Sequence, residues 1–193
     1  MHDIEPYFQW RDHYKVEKDP RSPFFDKEYS EFQFTQKIYN YYIHPQWDFF
    51  GSETLYLKIL FTDYDQGFAF IELIGEWNDA IGNDIMFLKR EIADLLINEG
   101  ITKFVVVCEN VLNFHASDDC YYEEWAQEVG EEFGWICLLN VRPHVFEEMR
   151  DTGIDNHCYV LPDTHMVSWR KFKPRNFVEH LQSLLDNLPK WID

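Results

Sequence analysis

The sequence predicts an α/β domain: a single mixed β-sheet with helices packed on it, in the order β-β-α-β-α-β-α-β. Three observations carry this. An apolar pattern broken by a turn at 54–77 reads as an antiparallel hairpin. Continuous apolar runs at 102–111 and 135–141 are what strands buried on both faces require. Amphipathic stretches at helical spacing alternate with those runs, which implies parallel crossovers.

Residues 1–53 read as an N-terminal extension, dense in Tyr, Phe and Pro, that packs on the domain, covers a sheet edge or forms a homodimer surface. Within it DPRSP (19–23) is turn-like, EFQFTQKIYNYYI (31–43) alternates in part and fits a strand or hairpin arm, and HPQWDFFGS (44–52) reads as a loop. The domain proper spans 54–161. TLYLKILF (54–61) and GFAFIELIGEW (67–77) are the hairpin strands, and DYDQG is the turn between them. Ile85, Leu88, Ile92, Leu95 and Leu96 then recur at helical spacing, with Asn83 or Asp84 as cap and Gly100 after the last turn.

TKFVVVCENV (102–111) is the next strand. From Asp118 to about Phe133, Tyr122, Trp125, Ala126, Val129 and Phe133 form one helical stripe, surrounded by glutamates and ended by Gly134. WICLLNV (135–141) is a buried strand. Pro143 suits a first helical turn, with Val145, Phe146 and Met149 inward and Gly153 at the end. NHCYVL (156–161) is a further strand. Residues 162–193 extend the same domain, with one more strand at HMVSWRKFK (165–173). A terminal amphipathic helix follows through Phe177, Leu181, Leu184, Leu185 and Leu188.

With 193 residues and 46% apolar content, the chain can bury a sizeable core, much of it aromatic. The formal charge of −18, from 17 basic against 35 acidic residues, repels nucleic acid and anionic membranes. It favours a basic protein partner, or it serves solubility. The N-terminus lacks the basic and apolar regions of a secretory signal, and no apolar run is long enough to cross a membrane. None of Cys108, Cys120, Cys137 and Cys158 forms a C-x-x-C pair, so a reducing, cytoplasmic setting is expected. Trp77, Trp125 and Trp135 fit core positions. No cofactor is implied: the glycine-rich phosphate loops, the nucleophile elbow and the H-E-x-x-H motif are all missing.

The densest chemistry lies in VLNFHASDDCYYEEW (111–125), between a strand and a helix start. Ligands bind at such strand ends, and a helix N-terminus favours anions. The candidate partner-binding loop comprises Asn113, His115, Ser117, Asp118, Asp119 and Tyr121. Ser117 reads either as the helix N-cap or as a displayed hydroxyl open to phosphorylation. His115 reads as a loop histidine bonded to nearby backbone, and no catalytic set can be assembled around it. His157 and Cys158 read as the head of a core strand. Asp119 and Glu123, four apart on one helical face, form an alternative divalent-cation site with Asp118 or His115. The plainer reading is that the aspartates complement the helix dipole.

Four features of 54–161 resemble STAS domains, the fold of anti-sigma-factor antagonists. They are GEWNDA (75–80), VVVCENVLNFHAS (105–117), Ser117 itself, and RPHVFEEMRDTGID (142–155). The resemblance implies a compact sheet with helices on one side, no catalysis, and protein–protein regulation through the loop around the serine. Ser117 falls on the position that kinases phosphorylate in regulated members. Ala116 replaces the usual acidic residue before it, and Asp118, Asp119 and Cys120 replace small residues after it. Two fixed carboxylates there can mimic a permanently modified state. The expected function is therefore a non-enzymatic regulatory or scaffold domain. Its partner is a protein, and it binds through the loop before the 118–133 helix. The alternative is an enzyme or small-ligand protein with a divalent cation at Asp118, Asp119 and Glu123.

Overall fold

In the computed structural model, which describes residues 3–165 and 168–187, the extension contributes one small hairpin, β1 (Lys37–Ile38) and β2 (Tyr41–Tyr42). The main sheet opens with the antiparallel pair β3 (Leu55–Asp63) and β4 (Phe68–Asn78). Asp63 Oδ1 accepts from the N–H groups of Asp65 and Gln66, 3.1 Å each, and Gly67 takes φ +67, which closes the turn between them. Then β5 (Lys103–His115), β6 (Trp135–Val141) and β7 (Tyr159–Pro162) add in parallel. Among the described residues the strand order is β3-β4-β5-β6-β7. No helix among them is long and apolar enough to cross a membrane.

The first crossover is not the single helix that the periodicity predicts. It comprises α1 (Asp79–Gly82), α2 (Asp84–Phe87), a π-helical segment at Leu88–Ala93, and α3 (Asp94–Asn98). Local side-chain bonds compete with the helical ladder. Asn83 sits in the left-handed region at φ 53. Asn83 occupies the cap position of α2 as expected, but its side chain makes no cap bond. Asn78 Oδ1 accepts from Ile81 N (3.0 Å), Asp79 Oδ1 from Ile85 N (2.8 Å), and Asp84 Oδ2 reaches back to Asn78 N (2.7 Å). Gly100, at φ +89, follows the last turn as expected, and Ile101 N returns to Leu96 O.

The second and third crossovers are α4 (Cys120–Glu131) and α5 (Pro143–Asp151), the latter with Pro143 at its first turn. Phe133 does not join the α4 stripe. It is 92% exposed and takes the left-handed position at φ 57. Gly134 is needed for space: a Cβ there would lie 2.0 Å from Thr102 O. The strand expected at 156–161 starts only at Tyr159, because Ile154–Asn156 turns as a short 3-10 segment.

The described residues of 165–173 do not form a strand. Asp163–His165 and Trp169–Lys171 are 3-10 turns, and 166–167 lie outside the described residues. Trp169 is driven into the core, where its ring packs on Trp10 and Phe70. The final helix, α6 (Pro174–Leu185), buries Phe177, Val178, Leu181 and Leu185. Val178 takes the inward place expected of Leu184, which is 39% exposed, and Leu188 lies outside the described residues.

Helices lie on more than one side of the sheet. One face packs Leu57, Ile71 and Val106 against Ile92, Leu96, Trp125 and Met149. The other packs Phe70, Val105 and Leu139 against Trp10, Trp169 and Leu181. The one-sided arrangement implied by the resemblance is thus supplemented by segments from outside 54–161. Burial on both faces explains the unbroken apolar runs of β5 and β6. The extension also shields the edge strand β3: Asp48 exchanges backbone hydrogen bonds with Leu57 (2.7 and 3.0 Å). The Asp48 carboxylate, fully buried, accepts from Lys27 (2.6 Å), Tyr29 (2.7 Å) and Lys58 (3.1 Å).

Candidate partner-binding site

The site stands where β5 outruns its neighbour. β5 is 13 residues long and continues past the 102–111 segment read from sequence. Its pairing with β6 ends at Val107 opposite Leu139, while its pairing with β4 runs on to Asn78 opposite His115. A two-stranded ribbon therefore projects from the carboxyl end of the sheet. Trp77 and Phe114, both buried, hold it from beneath with ring centroids 5.9 Å apart. On its opposite face Glu76 accepts from Asn113 Nδ2 (3.3 Å) and from the Tyr39 hydroxyl (2.5 Å).

The free edge of β5 is closed by α5. His144 Nε2 lies 2.7 Å from Leu112 O, and Glu148 Oε1 accepts from Ala116 N at 3.4 Å. His115 is the last residue of β5, exposed and in register with Asn78, rather than a loop histidine. Ser117 and Asp118 follow, both exposed.

Ser117 is not the N-cap. α4 starts three residues later, so Asp119 occupies the cap position, and its side chain makes no cap bond. Asp119 Oδ2 instead lies 2.8 Å from His157 Nε2. His157 thus serves the loop from just before β7, while Cys158 beside it is core. Asp118 Oδ1 accepts from Cys120 N at 3.3 Å. The Cys120 thiol and N–H hold the Asp118 carboxyl below its usual range. That carboxylate in turn pushes the Cys120 thiol up, the reverse of what a thiolate nucleophile needs. Tyr121 is half-buried, with the Arg90 guanidinium 5.5 Å from its ring centre.

The alternative cation residues do not converge. Asp119 engages His157, and Glu123 Oε1 accepts from Gln127 Nε2 at 3.1 Å. Among the described residues no group of three or more His, Cys, Asp or Glu side chains could hold a metal ion.

Two supports beneath the site escaped sequence reasoning. Asp79, 3% exposed, accepts from Trp77 Nε1 (2.9 Å), Ile85 N (2.8 Å) and the Tyr122 hydroxyl (2.7 Å). Burial pushes its carboxyl up to about 6, against the pull of those donors. The available signal was Tyr122 in a core stripe, since a buried phenol needs a partner. Lys89, on the π-helical segment, is fully buried. Its ammonium meets Asp94, Glu128 (2.7 Å) and Glu124 (3.6 Å). Arg90 grips Glu124 with two bonds of 2.6 and 2.9 Å. Part of the acidic face of α4 is therefore used inside the molecule, while Glu123, Glu131 and Glu132 face outward.

No protein-family model and no curated protein matches the chain. Solved structures do. The anti-sigma factor antagonist SpoIIAA in its unphosphorylated form is similar at 12% identity and a TM-score of 0.47, over 66% of this chain and 96% of that one. The phosphorylated form of the Bacillus cell fate determinant SpoIIAA is similar at 14% identity and a TM-score of 0.40, over 56% and 94%. A candidate anti-sigma factor antagonist of Thermotoga maritima is similar at 15% and 0.40, over 54% and 82%.

Proposed function

We propose that the protein is a non-enzymatic regulatory or scaffold protein that binds a protein partner through the 113–121 loop at the head of α4. One observation carries this reading. The loop's polar residues are displayed on a base fixed from beneath by Trp77, Phe114, Asp79 and Tyr122. A recognition loop on a rigid support loses little freedom on binding. His115, Ser117 and Asp118 form its outward part, and Asn113, Asp119 and Tyr121 are half-buried. The charge of −18 makes a basic partner the better match. Phosphorylation at Ser117 would add nearly two negative charges beside Asp118 and Asp119. Four free cysteines support a reducing, cytoplasmic setting.

The test is site-specific photo-cross-linking in the protein's own cells. A photoreactive residue at 117 is expected to trap a discrete partner, whereas one at Ser183 on α6 should not. Equal labelling from both positions overturns the loop reading. Peptide mass analysis of the same material reads phosphate at Ser117. A divalent-dependent rise in melting temperature that Asp119→Ala removes would favour the cation reading instead.

A further inference from the structure

We propose that Tyr39, in the N-terminal extension, is the aromatic anchor of the same partner-binding site, so that the extension takes part in choosing the partner. This rests on the reading of 113–121 as the recognition loop. The ribbon made by the ends of β4 and β5 has two faces, and Trp77 and Phe114 fill the buried one. Glu76 stands opposite Asn113 and Asn78 opposite His115. Strand alternation turns these four away from the buried pair. The β1–β2 hairpin meets β4 at the foot of that outer face. Ile38, fully buried, comes so close that a Cβ at Gly75 would lie 2.9 Å from its Cδ1. One residue on, the Glu76 carboxylate accepts from the Tyr39 hydroxyl (2.5 Å) through one oxygen and from Asn113 Nδ2 (3.3 Å) through the other. Tyr39 and the start of the loop are thus neighbours across a single carboxylate.

The fold does not need the Tyr39 ring. Ile38 and Ile43, buried against Trp47, Tyr56 and Ile74, hold the hairpin in place. The ring itself is 61% exposed. Tyr39 also takes φ 53 at the first position of a two-residue turn, where Asn or Gly costs less. A large side chain kept in a strained conformation, with its ring in solvent, is the pattern of a residue retained for contact.

The loop lacks what Tyr39 supplies. Its outward residues, His115, Ser117 and Asp118, are polar, and Tyr121 is half-buried beside the Arg90 guanidinium. Protein interfaces draw most of their energy from a few large side chains, Tyr prominent among them, set within polar groups that exclude water. Glu76 already holds two donors, so the group that suits this spot is one that covers the ring rather than one that pairs with the carboxylate. The occupant is therefore the loop's own protein partner. It presents an apolar side chain to Tyr39 while its polar groups meet His115, Ser117 and Asp118.

The test places a photoreactive residue at 117 or at 40 in the full chain, in the protein's own cells. The two positions are expected to trap an adduct of the same mass. Tyr39→Asn, which suits the turn, should lower the yield from position 117 at least about fivefold, with the melting temperature of the purified chain unchanged or raised. Tyr39→Phe keeps the ring and should keep most of the yield, whereas a role confined to the Glu76 hydrogen bond predicts its loss. An adduct from 117 that Tyr39→Asn leaves intact overturns this proposal and spares the loop reading. A yield that falls only together with the melting temperature makes Tyr39 structural and also overturns it. An adduct from 40 alone overturns the shared site and the loop reading together, as does no adduct from either position.

Discussion

The Tyr122 hydroxyl donates to Asp79 Oδ2 across 2.7 Å, with both residues buried. One bond thereby joins the end of β4 to the first turn of α4, directly beneath the 113–121 loop. Tyr122→Phe leaves the ring packed but withdraws a donor from a buried carboxylate. The expected loss is about 2 kcal/mol of stability. Urea denaturation checks the magnitude. Hydrogen exchange checks the location, which should be the amides of 116–121 ahead of those of β6.

Glu72 sets a pH dependence. It is 1% exposed, on the face of β4 that meets the N-terminal segment, and burial pushes its carboxyl from 4.5 up to about 7. Tyr7 N (2.8 Å) and Arg170 (3.4 Å) donate to it and pull the other way. A carboxyl raised in the folded state binds its proton more tightly there than in the unfolded chain. Its contribution is therefore full below about 4.5 and is lost as pH rises through about 7. Asp79 adds to the same slope, being raised to about 6. Glu72→Gln is expected to flatten the loss of stability between pH 5 and 7 relative to the native chain. Denaturant midpoints at the two pH values measure this, and parallel slopes would refute it.

Gly134→Ala tests the close approach of α4 to the strand loop. The added Cβ would meet Thr102 O at 2.0 Å and Val129 O at 2.7 Å, both backbone atoms that cannot swing aside. A loss of about 3 kcal/mol is expected, whereas Gly130→Ala, inside α4 with open space around it, should gain about 0.5 kcal/mol. Melting curves of the two variants provide the comparison.

Lys89→Met removes the cation shared by Asp94, Glu124 and Glu128. Those carboxylates are 25%, 35% and 42% exposed, so water can reach them once the ammonium is gone. The cost should fall below that of breaking a fully buried pair, at about 1–2 kcal/mol. Arg90→Ala, at the exposed end of the same network, should cost under about 1 kcal/mol and less still at high salt. Denaturation at low and high salt separates the two.

Periodicity exposed most of the sheet. The β3–β4 hairpin, the buried run of β6 and the proline start of α5 were legible because each depends on neighbours in sequence. What periodicity could not show was competition from side chains. Asn78, Asp79 and Asp84 break the 79–98 helix by binding backbone N–H groups that the ladder would otherwise use. Trp169 leaves a strand-like run because the core behind β4 and β5 offers its ring more burial than an edge position would. In VLNFHASDDCYYEEW the cap fell to Asp119 rather than Ser117 because the helix starts at Cys120. His157 could not be tied to Asp119 from sequence, since 38 residues separate them.

The face of the sheet that carries Phe70, Val105 and Leu139 is closed by Trp10 from one end of the chain and by Trp169 and α6 from the other. Trp10 Nε1 even donates to Phe172 O, at 3.2 Å. During synthesis this clasp cannot form until residues 169–185 have left the ribosome. Until then the nascent protein shows a broad aromatic sheet face to its surroundings. Such an exposed face is where a chaperone would engage and where premature release would lead to aggregation. Stalling translation before Trp169 should therefore yield a chaperone-bound, protease-sensitive chain, although every strand of the main sheet has by then been made.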